Sequence, residues 1–161
     1  MRTQEIAQGD EGLGSTTHAE SFEDIPFDEL TTGTVRRTRY RLVPTTVAAF
    51  LAAVGDGSDD VHEPGAPVPP SVYCSFLPMF RALGGRMEQG TVHTHQSVTL
   101  HGERARVGDV LDVDVTVASA ETDGRRRRVE IVTAFSCHGR AVCTTHSRYL
   151  WGYVAPAGGA R

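Results

Sequence analysis

The chain has 161 residues, 39% of them hydrophobic, and a formal charge of −4. That length suits one domain able to bury about two-thirds of its unfolded surface, and an acidic balance argues against a nucleic-acid partner, because phosphate binding needs a basic face. The three cysteines, Cys74, Cys137 and Cys143, have no CxxC spacing and an odd count, so each reads as a small buried hydrophobe in a reducing compartment; no metal and no redox cofactor is expected.

Residues 1–20 are polar and almost devoid of aliphatic side chains, too little to offset the entropy of ordering, and are expected to form a disordered leader. Residues 155–161, APAGGAR, read the same way and leave 21–154 as the domain. There is no apolar signal core at the N-terminus and no run near the roughly 18 apolar residues that span a membrane, so a soluble cytoplasmic protein is expected.

The first ordered element is a strand over Thr34–Val43. Pro44-Thr45-Thr46 supplies capping chemistry for a short, apolar and hence buried helix, Val47–Val54, that stops at Gly55. After a loop rich in Gly, Asp and Pro, Val72, Phe76, Met79, Phe80 and Leu83 fall at helical spacing with Ser71 as candidate N-cap. Pro78 removes a backbone donor inside that segment, so the helix should kink or split near Cys74–Leu77.

Strands fill the second half. GTVHTHQSVTLHG (Gly90–Gly102) is one; in VLDVDVTVAS the residues Leu111, Val113, Val115 and Val117 alternate with Asp112, Asp114 and Thr116, the mark of one buried and one wet face. RVEIVTAFSC and AVCTTHSRYLWGY follow, separated by the short turns TDG and HG, which predict consecutive antiparallel hairpins. The order describes an α+β domain with an antiparallel sheet wrapped around a central buried helix.

Several polar residues are candidates for chemistry. Asp56 and His62, in VGDGSDDVHEPGAPVPPSVY, are either an acid/base pair or turn residues of a Pro/Gly loop. His93, His95 and His101 carry odd numbers and should project to one face of their strand, without a third ligand at metal-binding spacing. The run GRRRRVE at a hairpin tip reads as a solvated turn or as a site for phosphate or acidic partners.

Three local patterns in this order resemble the MaoC-like acyl-thioester dehydratases and hydratases, particularly their N-terminal type of domain, over Phe22–Trp151. FLAAVGDGSDDVH (Phe50–His62) is similar to the family's helix end followed by Gly-Asp-x-Asn-Pro-x-His; APVPPSVYCSFL (Ala66–Leu77) is similar to the start of its central helix; VHTHQSVTLHGERARVGDVLDVDVTV (Val92–Val117) is similar to its His-Gly-Glu strand, Gly-Asp turn and long alternating strand.

The resemblance implies a single hot-dog domain acting on a 3-hydroxyacyl or enoyl thioester of coenzyme A or acyl carrier protein, in fatty-acid or polyketide-type metabolism. It implies Asp56 and His62 as the catalytic pair, a backbone N–H of Ser71 or Val72 as oxyanion donor, and Tyr73, Phe76, Phe80 and His93 around the acyl pocket. Arg104, Arg106 or Arg126 would meet phosphate or carrier. A homodimer, or a heterodimer with a related hot-dog chain, is implied as well.

Two departures stand out. Asp56 precedes His62 by one position more than in the family pattern, so Asp59 or Asp60 is an alternative partner for the histidine, and the stretch from Glu63 to Val68 is shorter than in relatives. Both suit two other readings: a non-catalytic hot-dog subunit that shapes a partner's acyl tunnel, or a scaffold recruited to cyclisation, isomerisation or thioester hydrolysis on a carrier-bound polyketide chain.

Overall fold

The structure, a computed structural model, describes residues 20–55 and 63–153. The expected leader, the expected tail and the strip carrying Asp56, Asp59, Asp60 and His62 lie outside the described residues.

Valine alternation organises the sheet. In chain order the elements are β1 (Asp24–Ile25), β2 (Val35–Arg41), α1 (Pro44–Val54), a 3-10 turn (Pro70–Cys74), α2 (Leu77–Leu83), β3 (Arg86–Met87), β4 (Val92–Leu100), β5 (Val110–Asp123), β6 (Arg126–Cys137) and β7 (Arg140–Leu150). Five strands make one sheet in the order β2-β5-β6-β7-β4, every neighbouring pair antiparallel. Leu111, Val113 and Val115 of β5 are wholly buried on its inner face, while Asp112 and Asp114 point outward, where Arg39 and Arg37 of β2 pair with them.

Both hairpins form as expected, but the first turn falls at Gly124-Arg125 and not at Thr122–Gly124, because Thr122 and Asp123 continue β5. Asp123 pairs with Arg126 around Gly124-Arg125, and Cys137 pairs with Arg140 around His138-Gly139. In the second turn His138 and Gly139 both have positive φ (50 and 74), which matches the right-handed twist of the flanking strands.

The segment over the concave face is split where proline demands it. Pro70–Cys74 is a 3-10 turn, Ser75 is extended, and α2 opens with Pro78 in its first turn, where the missing N–H costs nothing. The hot-dog arrangement thus has a broken central helix. Ser71 is not its N-cap: it lies inside the 3-10 turn, which Pro69 precedes without any side-chain cap.

Two further expectations are corrected. The first helix starts at Pro44, three residues early, because proline at the first helical position needs no capping threonine. It is also only half buried: Val47 and Leu51 are in the core, whereas Ala49, Ala52 and Ala53 are exposed. Its end follows expectation, with Gly55 left-handed (φ 79) and its N–H donated to the carbonyls of Leu51 and Ala52.

The core sits between the sheet and the broken helix. Val72, Tyr73 and Met79 pack from above onto Val113, Ile131 and Phe135, with Tyr73 and Phe135 rings 5.3 Å apart. Trp151, 1% exposed, donates its indole N–H to the Ile25 carbonyl and pins the β1–β3 ribbon to the sheet. Among the described residues no helix is long and apolar enough to cross a membrane.

Candidate functional site

The site grows from the two prolines ahead of the 3-10 turn. Pro69 and Pro70 have no N–H, so Ser71 carries the first backbone donor of the turn. The Val72 N–H is already donated to the Pro69 carbonyl (3.1 Å), and its side chain is buried.

The chain reaching these prolines is laced to the loop before β5. Gly65 N–H donates to Val107 O (2.9 Å), Val107 N–H to Ala66 O (2.8 Å) and Val68 N–H to Ala105 O (2.9 Å). The Arg106 guanidinium adds a bond to Gly65 O (2.8 Å). Residues 63–70, which follow directly on the Asp56–His62 strip, are therefore held rigidly against residues 105–107.

Beside the turn lies an apolar cavity of about 260 Å³ between β2, α1 and the 3-10 turn, lined chiefly by Tyr40, Leu42, Val47, Phe50, Val72 and Ser75. Among the described residues that line it the ionisable group is Tyr40, 5% exposed, whose phenol burial pushes up and keeps neutral. An apolar pocket closed by a few polar groups is the usual form of a site for a hydrophobic ligand. The sequence pattern gives no sign of it, because it arises only where the later 3-10 turn packs back on the consecutive β2 and α1.

The expected pocket residues are placed differently from one another. Tyr73 belongs to the core, its hydroxyl accepting the Ala105 N–H (3.4 Å). Phe76 and Phe80 stack (6.0 Å), Phe76 meets His93 edge-on (5.7 Å), and His93 stacks on Tyr149 (4.8 Å), an aromatic group on the β4 side of the turn.

The histidines do not share a face. The pairing of β4 with β7 slips between His93 and His95, so His93 opposes buried Tyr149 while His95 opposes exposed Arg148; such a bulge reverses the alternation beyond it. His101 lies past the strand end with Nε2 2.9 Å from Thr144 Oγ1.

Nor do the arginines meet. Arg104 and Arg106 line a second cleft, about 490 Å³, beside the β6–β7 hairpin. Arg126 begins β6 at the opposite end of that strand, roughly 36 Å away at the usual rise per residue. Two other hairpin arginines make structural contacts: Arg128 pairs with Asp123, and Arg127 reaches Glu88 and lies over the Phe27 ring. All three cysteines are free, and burial pushes the Cys137 and Cys143 thiols up to about 11, which makes both poor nucleophiles.

Comparison with protein-family models gives no match, and neither does comparison with curated proteins. Solved structures do match. The (R)-hydratase from A. caviae involved in PHA biosynthesis is 20% identical, with 76% of this chain and 97% of that one covered and a TM-score of 0.58. The MaoC-like dehydratase from Rhodospirillum rubrum is 16% identical (80% and 97% covered, TM-score 0.57), and the C-terminally truncated HadBC (3R-hydroxyacyl-ACP dehydratase) complex from Mycobacterium tuberculosis is 16% identical (73% and 95% covered, TM-score 0.53). The chain has the hot-dog fold of these proteins.

Proposed function

We propose that the chain is a dehydratase or hydratase of 3-hydroxyacyl or enoyl thioesters. The observation that carries this reading is the apolar cavity between α1 and the 3-10 turn, lined by Val72, the residue after the turn's first backbone donor, and by α1, the helix that leads into the Asp56–His62 strip. An acyl tail fits an apolar pocket, a thioester carbonyl needs a donor, and the adjoining strip carries a carboxylate and an imidazole.

In the dehydration direction the Cα–H and Cβ–O bonds break, the C=C bond forms and water leaves. His62, with Asp56 or its neighbours Asp59 and Asp60 as partner, takes the α-proton and supplies a proton to the departing hydroxyl. The Ser71 N–H meets the thioester oxygen as enolate charge develops. Arg104 and Arg106 face the phosphates of coenzyme A or the acidic surface of an acyl carrier protein. Fatty-acid or polyketide-type chains are the substrate class.

A second reading has its own support. On β4, Val98 and Leu100 oppose the buried Thr145 and Cys143, and so face the helix side of the sheet, yet they are 40% and 43% exposed. A second hot-dog chain laid against β4 would cover them, and one of the similar solved structures is a complex. In that case this chain shapes the acyl tunnel and its partner supplies the catalytic pair.

One assay separates the readings. Purified protein should hydrate crotonyl and longer enoyl thioesters, and His62→Ala should abolish the rate. Inactivity alone, with activity gained on adding a related hot-dog chain and unaffected by His62→Ala, favours the subunit reading; no activity in either setting counts against both.

A further inference from the structure

The β6–β7 hairpin carries a cluster that the thioester chemistry does not use. Asp112 pairs with Ser136, so Asp109, three residues earlier, lies level with the hairpin tip. Odd-numbered residues of β6 and of β5 up to Val117 face inward, which turns Asp109 and Cys137 to the same side, and His138 joins them from its left-handed backbone position. A carboxylate oxygen, a thiol sulfur and an imidazole nitrogen consequently lie within 4.8 Å of one another.

Their surroundings are arranged. Asp109 Oδ2 accepts the Arg106 N–H (2.7 Å), which orients the carboxylate and leaves Oδ1 toward His138 Nε2, 3.7 Å away. Cys137 is buried, whereas the His138 side chain is 81% exposed and can turn inward without leaving any packing. The cluster opens on the 490 Å³ cleft, so a solute ion has a path in. Arg104, Arg106 and Arg140 also line this cleft and disfavour a cation, but Glu103 pairs with Arg140 and offsets part of that charge, and the Arg106 guanidinium is turned to the Gly65 carbonyl.

We propose that Asp109, Cys137 and His138 bind a thiophilic divalent cation of the zinc class, with three protein ligands and a fourth position open to the cleft. Sulfur, nitrogen and oxygen donors together suit zinc, and the thiolate selects against magnesium and calcium, which take oxygen ligands. A tetrahedral zinc needs its donors roughly 3.3–3.8 Å apart, so the cluster must contract by about 1 Å, a movement the exposed His138 ring can supply. The bound ion ties the hairpin to the loop that holds Gly65–Val68, and so braces the exit of the Asp56–His62 strip. This does not depend on the reaction the chain performs.

The test uses the full chain, free of any affinity tag and stripped with a chelator, titrated with Co²⁺ and then Zn²⁺. One equivalent of Co²⁺ should produce a thiolate-to-cobalt charge-transfer band with the visible bands of a tetrahedral site, and Zn²⁺ should displace it. Cys137→Ala should remove the charge-transfer band, and Cys74→Ala and Cys143→Ala should leave it. His138→Gln, at a surface position that cannot unfold the domain, should weaken binding by at least the roughly 10–100-fold that even outer-shell changes cost. It should also abolish the rise in melting temperature that Zn²⁺ gives the wild type. Absence of the band with excess Co²⁺, its survival in Cys137→Ala, or unchanged affinity in His138→Gln would overturn the proposal.

Discussion

The two edges of the sheet are built on opposite plans. At the β2 edge Arg37 and Arg39 stand outward in ion pairs with Asp114 and Asp112, while Tyr40 on the inner face is buried beneath the chain's own helices. At the β4 edge there is no such charge, and Val92, Val98 and Leu100 are 45%, 40% and 43% exposed. Charged side chains on an edge strand deter pairing with another chain; an apolar edge invites it. The same sheet is thus finished on one side and open on the other, and the open side adjoins the aromatic group of Phe76, His93 and Tyr149.

Breaking the open edge should have the largest effect. Val98→Arg with Leu100→Arg should convert the assembly proposed through β4 to monomer while leaving the monomer folded, as read by light scattering after gel filtration. Assembly unaltered by both arginines would place the partner surface elsewhere. On the finished side, Leu111→Ala should cost about 2–5 kcal/mol in urea unfolding, because Leu111 is wholly buried opposite Tyr40. A much smaller loss would mean that this half of the core collapses around the gap.

An effect of intermediate size depends on pH and lies on the open side. Cys143 lies opposite Leu100, and burial pushes its thiol from 9.0 up to about 11. The unfolded chain therefore loses this proton first, so stability is complete below about pH 9 and falls as pH rises toward 11. Cys143→Ala should reduce that fall in denaturation curves, the equally raised Cys137 supplying the remainder; an unchanged slope would assign it to other groups. The smallest effect belongs to the charged edge: a double-mutant cycle on Arg39 and Asp112 should give under about 1 kcal/mol, since both side chains are more than half exposed.

How far the sequence could be read follows from which interactions are local. Strand alternation, the two-residue turns and the proline split are decided within a few residues, and Val113, Gly139 and Pro78 all sit as their chemistry requires. The start of α1 departs from the sequence pattern because the threonines after Pro44 resemble a cap, although proline itself occupies the first turn. The shared face expected for His93 and His95 failed on a single bulge that composition does not announce.

The sites were harder still. The Asp56–His62 strip was visible only through resemblance, while the cavity joins Tyr40, Phe50 and Val72 across three elements. The cluster of Asp109, Cys137 and His138 spans 28 and 29 residues in sequence and is assembled by strand register alone.

Acyl-chain selectivity reports on whether an acyl tail sits between α1 and the 3-10 turn. Val47 lines the cavity and is 1% exposed, so Val47→Phe should fill part of the space while preserving the apolar core. Hydration rates for enoyl thioesters of increasing length, measured for wild type and Val47→Phe in whichever assembly is active, should show long acyl chains losing rate steeply in the variant and crotonyl thioester nearly unaffected. An equal change at every length would contradict a tail seated between α1 and the 3-10 turn.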